Sequence, residues 1–151
     1  VLGIVSTFTV AHSITLGLAA TQRVSLSPSL IEPAIALTIV LAAVDNLRPI
    51  FGTRRGAVTF LFGLIHGFGF AGVLGELDLA PSQFAWALLQ FNLGLELGQL
   101  LVVLLALGGL FALRESPRYP VLAIRGGSMA AIVVGALWFI ERTADLSLWS
   151  L

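Results

Sequence analysis

FAWALLQFNLGLELGQLLVVLLALGGLFAL (84–113) is a long apolar stretch that contains a single charged side chain, Glu96. A helix needs about 20 apolar residues to cross the hydrocarbon core of a bilayer, so this stretch predicts a transmembrane helix that tilts or protrudes. In the whole chain 58% of residues are hydrophobic and 11% are charged, whereas soluble domains carry about 25% charged residues. The composition therefore indicates a membrane protein.

Four other stretches of the chain have a similar apolar character and helical length. The five predicted spans are about 1–20, 30–47, 57–74, 84–113 and 121–140. We therefore predict an all-α fold, a polytopic membrane helix bundle with five transmembrane helices, and a single integral membrane domain over residues 1–151. Because Val1 already lies inside an apolar stretch, we expect either that a presequence was removed or that the first span is truncated.

The arginines predict the orientation of these spans in the membrane. The chain has no lysine, and six of its eight basic residues fall on one side of the predicted spans. Cytoplasmic loops carry the excess of basic residues, so this side is predicted to be cytoplasmic. The start of the chain would then be cytoplasmic and its C-terminus outside. The cytoplasmic set is Arg48, Arg54, Arg55, Arg114, Arg118 and Arg125, and the outer set is Arg23 and Arg142.

Composition and motifs exclude several classes of function. The formal net charge is zero and there is no basic run, so nucleic acid is not an expected partner. The chain has no cysteine and one methionine, which rules out disulfides, thiolate metal sites and a thioether site. No phosphate-binding loop, nucleophile elbow or HExxH helix occurs in the sequence.

Four ionisable side chains lie within or at the edge of four different spans, and they are the best functional clue. A carboxylate in the middle of a bilayer costs about 2.5–3.5 kcal/mol on insertion scales, so such groups should face one another, water or a bound cation. We predict that they line the bundle interior and bind a metal ion along a path rather than in one tight shell. These candidate ligands are His12, Asp45, His66 and Glu96.

Further polar residues are expected to assist this path. Asn92, Glu96 and Gln99 recur at helical spacing on one face of the fourth span, and Asn46 follows Asp45. Asn46, Asn92 and Gln99 are therefore predicted as polar neighbours of the ligands. An acidic rim that concentrates cations at the outer entrance is predicted from Glu32, Glu76 and Asp78. The fifth span offers a ridge of small residues and, by its sequence, no buried acid.

Imidazole and carboxylate ligands together suit borderline divalent ions such as nickel, cobalt, zinc, manganese or iron(II). Each span supplies one candidate ligand, so spacing within a helix does not identify the metal. From the residues alone any of these ions, zinc included, could be the one bound, and we expect no tightly bound cofactor.

Four motifs resemble the HupE/UreJ family, specifically its second branch. They are FTVAHSITLGLA (8–19), VDNL (44–47), LIHGFGFAGVL (64–74) and FNLGLELGQL (91–100). The resemblance implies a bacterial inner-membrane protein and a nickel or cobalt permease, and the four candidate ligands occupy matching motif positions. The family usually shows an earlier helix with an HxxxGxDH-type motif, which does not occur in this sequence.

The resulting prediction is a divalent transition-metal permease, not an enzyme, whose partners are the lipid bilayer and the metal ion. Two alternatives stay open. The chain could be a non-catalytic accessory subunit of a larger membrane complex, which would make other membrane subunits or an upstream helix its partners. It could also be a zinc-dependent intramembrane hydrolase, which would need three ligands at one depth.

Overall fold

Five α-helices form the chain in a computed structural model, which describes residues 2–21, 24, 26–75, 81–116 and 120–144. The helices are α1 (Leu2–Ala20), α2 (Pro28–Leu47), α3 (Arg55–Gly75), α4 (Pro81–Leu113) and α5 (Gly127–Thr143). A 3₁₀ turn, Gly52–Arg54, precedes α3, and a π-helical segment, Pro120–Gly126, leads into α5. The described residues contain no strand. The predicted all-α fold with five helices is confirmed.

Helices α2, α3 and α4 begin earlier than the sequence predicts, and in α2 and α4 proline is the reason. The second span is predicted from about residue 30, whereas α2 begins at Pro28; the fourth is predicted from about residue 84, whereas α4 begins at Pro81. Proline is favoured in the first turn of a helix, because its missing N–H would have no partner there anyway. Prolines that look like helix breakers in the sequence therefore start these helices.

Among the described residues, three helical segments are long and apolar enough to cross a membrane: Pro28–Leu47, Gln83–Ala112 and Ala123–Thr143. The segment Gly3–Ala19 is a shorter apolar helix. Large apolar side chains such as Leu93, Leu97 and Leu104 are exposed along α4. Exposed surfaces of this kind fit a lipid environment, where helices satisfy their own backbone hydrogen bonds. The chain is therefore a polytopic membrane protein.

Contacts divide the chain into two compact units. The first comprises Val1–Leu26 and Thr53–Ala106, and the second comprises Ser27–Gly52 and Leu107–Leu151. The prediction of a single integral domain stays a prediction. In the first unit α1 runs parallel to α3 and antiparallel to α4, and in the second α2 runs antiparallel to α5. These directions are the ones that a chain crossing a bilayer five times in alternation requires.

Glycines set the distance between α1 and α3. A Cβ atom on Gly63 would come within 2.6 Å of the Phe8 carbonyl oxygen, and one on Gly67 would come within 3.0 Å of the Leu16 backbone nitrogen. Small residues allow membrane helices to approach this closely. In the second unit Gly135 of α5 has the same role, packing against Ala36 and Val40 of α2.

We expect Gly67→Ala to lower the thermal midpoint of unfolding of the purified protein in detergent. The added methyl group would overlap the backbone of α1, and overpacking of this kind costs about 1–3 kcal/mol. Gly94→Ala on α4 is the matched control, because no described atom lies within 4 Å of its Cβ position. The control should be neutral or stabilising, since alanine favours a helix more than glycine does. Equal midpoints for the two variants would contradict close packing at Gly67.

Candidate functional site

Among the described residues of the first unit, His12 is the most deeply buried ionisable side chain. It lies in the middle of α1 with 1% of its surface exposed. Neither ring nitrogen has a hydrogen-bond partner among the residues that the structure describes. A buried polar group without a partner costs about 1–3 kcal/mol, and such groups are rare enough to need an explanation. In a neutral imidazole one nitrogen carries a proton, and the lone pair of the other, free of hydrogen bonds here, is available to a metal ion.

Aromatic rings from three helices surround the His12 imidazole. Phe8 of α1 stacks on it with ring centroids 5.9 Å apart, Phe70 of α3 lies at 5.5 Å, and Phe91 of α4 stacks at 6.2 Å. His66 of α3 meets Phe8 edge-on at 5.3 Å. The two histidines therefore lie on facing helices and share one phenylalanine neighbour.

Two side-chain hydrogen bonds, Ser13–Asn92 and Thr9–Gln99, join α1 to α4 beside this aromatic cluster, and we call them the polar seam. The Ser13 hydroxyl donates to Asn92 Oδ1 at 2.7 Å, and the Thr9 hydroxyl donates to Gln99 Oε1 at 3.3 Å. The Asn92 amide nitrogen also donates to the carbonyl oxygen of Leu88 at 2.8 Å. Asn92 and Gln99, predicted as polar neighbours of the ligands, thus hold α4 against α1.

Glu96 lies between these two amides on the same face of α4, where it is half-buried. Its side chain lines an open cavity of about 410 Å³. The cavity has oxygen-bearing side chains from both helices within an otherwise apolar wall. Its lining residues are Thr9, Val10, Ser13, Ile14, Leu89, Asn92, Leu93 and Glu96.

The first unit thus contains three of the four predicted ligands: His12, His66 and Glu96. The described residues contain no group of three or more His, Cys, Asp or Glu side chains that could hold a metal ion. Structural and catalytic zinc sites need three or four protein ligands at one point. These three side chains therefore lie at separate positions within one packed unit. In the described part of the chain they do not form a closed shell of metal ligands.

Asp45 belongs to the second unit and is buried near the end of α2. Its Oδ1 atom accepts hydrogen bonds from the backbone N–H groups of Ile50 and Phe51, at 2.7 and 2.9 Å. These bonds stabilise the turn between α2 and α3, which is a structural role for the carboxylate. A ligand role for Asp45 stays a prediction, as does an assisting role for Asn46. Asn46 lines a cavity of about 350 Å³ together with Ser128.

The predicted acidic rim is described only at Glu32. Its carboxylate forms an ion pair with Arg142 of α5, with 3.1 Å between Arg142 Nη1 and Glu32 Oε2. The arginine neutralises much of the field by which Glu32 would attract a cation. Glu76 and Asp78 lie outside the described residues, so their part of the rim stays a prediction.

Glu141 is a buried acid that sequence reasoning missed. The fifth span is predicted over about 121–140 with no buried acid; Glu141 lies one residue beyond this range, within α5, and is only 6% exposed. The predicted span ends at residue 140, whereas α5 continues to Thr143. The sequence signal that could have indicated this burial is the adjacent pair Glu141 and Arg142 at the end of an apolar run. Paired charges at a helix end can pack against a neighbouring helix.

Comparisons with known proteins give one family. A family model described as HupE / UreJ protein matches residues 1–142. No curated protein and no solved structure matches the chain.

Proposed function

The chain belongs to the HupE/UreJ family, and from this membership we propose that it is a permease for a divalent transition metal, with nickel or cobalt as its cargo. The family is generally related to nickel and cobalt transport. The main support for the proposal is that the two buried nitrogens of the His12 imidazole lack hydrogen-bond partners in the described structure. Neutral imidazole is a preferred ligand of nickel, cobalt and zinc.

The residues of the first unit would act in sequence on a passing ion. Glu96 would attract the cation into the cavity between α1 and α4, where the side-chain oxygens of Ser13 and Asn92 can replace part of its water shell. His12 and His66 would then supply nitrogen ligands within the packed unit. Asp45 is proposed as a later acidic position near the cytoplasmic end.

Separate ligand positions favour transport over storage. An ion moves through a pathway only if each site binds it strongly enough for entry and weakly enough for release. A shell of three or four ligands at one point would retain the ion, and the described residues contain no such group. The same observation disfavours a zinc hydrolase, which needs three ligands and an open coordination position around one ion.

We propose that the protein lies in the bacterial inner membrane, with the start of the chain in the cytoplasm and the C-terminus outside. The support is the distribution of arginines: six lie in or beside the loops 48–56 and 114–120, and two lie on the opposite side. The lipid bilayer and the metal ion are then its partners. Other membrane subunits are the partners under the accessory-subunit alternative.

Purified protein reconstituted into proteoliposomes is expected to accumulate nickel and cobalt above the level of empty liposomes. Metal inside the vesicles can be measured by elemental analysis after external ions have been removed. The same preparation without protein gives the leak rate. Absence of uptake for nickel, cobalt and zinc alike would overturn the permease. Purification in a fixed ratio with other membrane chains, together with no uptake, would favour the accessory subunit.

A further inference from the structure

The ligand atoms that the cavity between α1 and α4 offers to an ion are all oxygens. Its four polar lining residues, which we call the oxygen site, are Thr9, Ser13, Asn92 and Glu96, and its other four lining residues are aliphatic. Two hydrogen bonds orient the Asn92 amide: its nitrogen donates to the Leu88 carbonyl oxygen, and its oxygen accepts from Ser13. The nitrogen is thus engaged within α4, and the oxygen is directed to α1. The site therefore combines two hydroxyl oxygens, one amide oxygen and a carboxylate.

Glu96 brings the negative charge of this cavity. Its carboxylate has no hydrogen-bond or ion-pair partner among the residues that the structure describes. Acids within membrane spans usually pair with another group or face a water-filled cavity, because an uncompensated charge is costly there. Since the cavity is open, the counter-charge of Glu96 can be a cation that enters from water.

Each hydroxyl of the polar seam has a second acceptor within its own helix. Ser13 Oγ lies 2.7 Å from Asn92 Oδ1 and also 2.7 Å from the Thr9 carbonyl oxygen. Thr9 Oγ1 lies 3.3 Å from Gln99 Oε1 and 3.1 Å from the Val5 carbonyl oxygen. A hydroxyl has one proton, so it donates to one of its two acceptors at a time. Both protons can therefore turn to α1 when a cation enters, which frees the oxygen lone pairs for the ion and leaves neither proton without an acceptor.

The cavity has room for an ion that keeps much of its water. Its volume is about 410 Å³, whereas six water molecules take about 180 Å³ at about 30 Å³ each. Mg²⁺ usually keeps several waters and binds proteins through one or two carboxylates. Carboxylate, carbonyl and water ligands suit Mg²⁺ and Mn²⁺, whereas imidazole suits nickel and zinc. The oxygen site therefore has the ligand chemistry of a magnesium or manganese site.

We propose that the oxygen site binds a partly hydrated divalent cation through oxygen atoms alone, and that it accepts Mg²⁺ and Mn²⁺ as well as nickel and cobalt. The role of this site rests on the proposed transport function, which it divides between two places. The oxygen site collects divalent ions of several kinds, and the imidazoles of His12 and His66 select those that bind nitrogen well. Magnesium thus competes with nickel for the oxygen site although it is not the cargo.

Binding of Mn²⁺ to the purified protein in detergent tests the site without any transport. The EPR signal of free Mn²⁺ is broadened when the ion binds, so a titration gives the dissociation constant. Mg²⁺ should displace the bound Mn²⁺, because both ions prefer oxygen ligands. In Glu96→Gln we expect the affinity for Mn²⁺ to fall at least about tenfold. The proposal is overturned if the wild type binds no Mn²⁺, if Mg²⁺ does not displace it, or if Glu96→Gln keeps the wild-type affinity.

Asn92→Leu and Gln99→Leu are a matched pair of variants for the same titration. Each removes an amide that accepts one bond of the polar seam, and each leaves the partner hydroxyl its acceptor within α1. The two amides differ in position, since Asn92 lines the cavity of the oxygen site and Gln99 lines a different one.

We therefore expect the affinity for Mn²⁺ to fall about fivefold in Asn92→Leu and to change less than about twofold in Gln99→Leu. Equal losses would show that both amides act by holding the helices together, and would overturn the ligand role of Asn92. If Glu96→Gln does not fold, this comparison decides the proposal.

Proteoliposomes test the competition between ions and separate this inference from the proposed function. External Mg²⁺ should reduce nickel uptake when nickel is below saturation, and saturating nickel should remove the effect. Nickel uptake that Mg²⁺ does not reduce would overturn the shared site. If the wild type takes up no metal at all, the proposed function fails, while the Mn²⁺ titration still decides whether the oxygen site binds cations.

Discussion

Replacement of Glu96 with glutamine is expected to abolish nickel and cobalt uptake while the protein still inserts and folds. The substitution keeps the size of the side chain and removes its negative charge. Glu96 is the carboxylate of the cavity between α1 and α4, where the other oxygen-bearing side chains are neutral. A divalent ion that leaves water for this cavity loses its counter-charge in the variant, so we expect a drop in uptake of at least about a hundredfold, equivalent to about 2.7 kcal/mol.

Insertion should not suffer, because a carboxylate inside the membrane costs about 2.5–3.5 kcal/mol, and the substitution replaces it with an uncharged side chain of the same size. The thermal midpoint of the variant should therefore equal or exceed that of the wild type. Glu115→Gln is the matched control: it removes a carboxylate whose side chain is 85% exposed beside Arg114. Wild-type uptake by Glu96→Gln, in vesicles that contain equal amounts of protein, would remove this residue from the mechanism.

The fold is predictable because the properties that determine it are local. Length and apolar composition are enough to predict five helices without a strand, and the interval between Asn92 and Gln99 is enough to place them on one face. Side chains seven residues apart point in nearly the same direction on any α-helix. This relation does not depend on which neighbour the helix packs against, so sequence alone can provide it.

The environment of each candidate ligand is not predictable in the same way, since it depends on how helices are rotated against each other. The same motif that contains His66 contains Gly67, but the sequence does not say that Gly67 packs on the stretch around His12. That contact brings Phe70 of α3 against the imidazole, and the separate contact of α1 with α4 brings Phe91 there. Likewise, nothing in VDNL indicates that Asp45 binds the backbone of Ile50 and Phe51.

Residues at the ends of helices are the hardest to interpret from sequence. In the sequence Glu32 resembles a free acid at an entrance, yet it pairs with Arg142, which lies far along the chain. Glu141 resembles a charge beyond the last span, yet it is buried. The ion pair depends on the antiparallel contact of α2 with α5, a long-range pairing that composition and periodicity do not reveal.

His12→Leu is expected to make the protein more stable and, at the same time, inactive. Leucine is close to histidine in volume, so the aromatic cluster formed by Phe8, Phe70 and Phe91 can accept it with little strain. The substitution replaces two buried nitrogens that lack partners among the described residues. Removing an unsatisfied buried polar group should recover about 1–3 kcal/mol, which would appear as a higher thermal midpoint in detergent.

Uptake of nickel and cobalt by the same variant should fall to the level of empty liposomes, because the imidazole ligand is gone. The opposite signs of the two effects make the result diagnostic. If His12 were present only to fill the core, leucine would leave uptake intact. If a hydrogen bond held the ring, leucine would lower the midpoint.

Ser13→Ala is the control from the adjacent position of α1. It should weaken the hydrogen bond to Asn92 and remove one oxygen that faces the ion, but it removes no nitrogen ligand, so the thermal midpoint should fall while nickel and cobalt uptake is reduced and not abolished. The control and His12→Leu are therefore expected to move stability in opposite directions, and only His12→Leu should end transport. A residue that costs stability and is needed for transport is best explained by the ion that it binds.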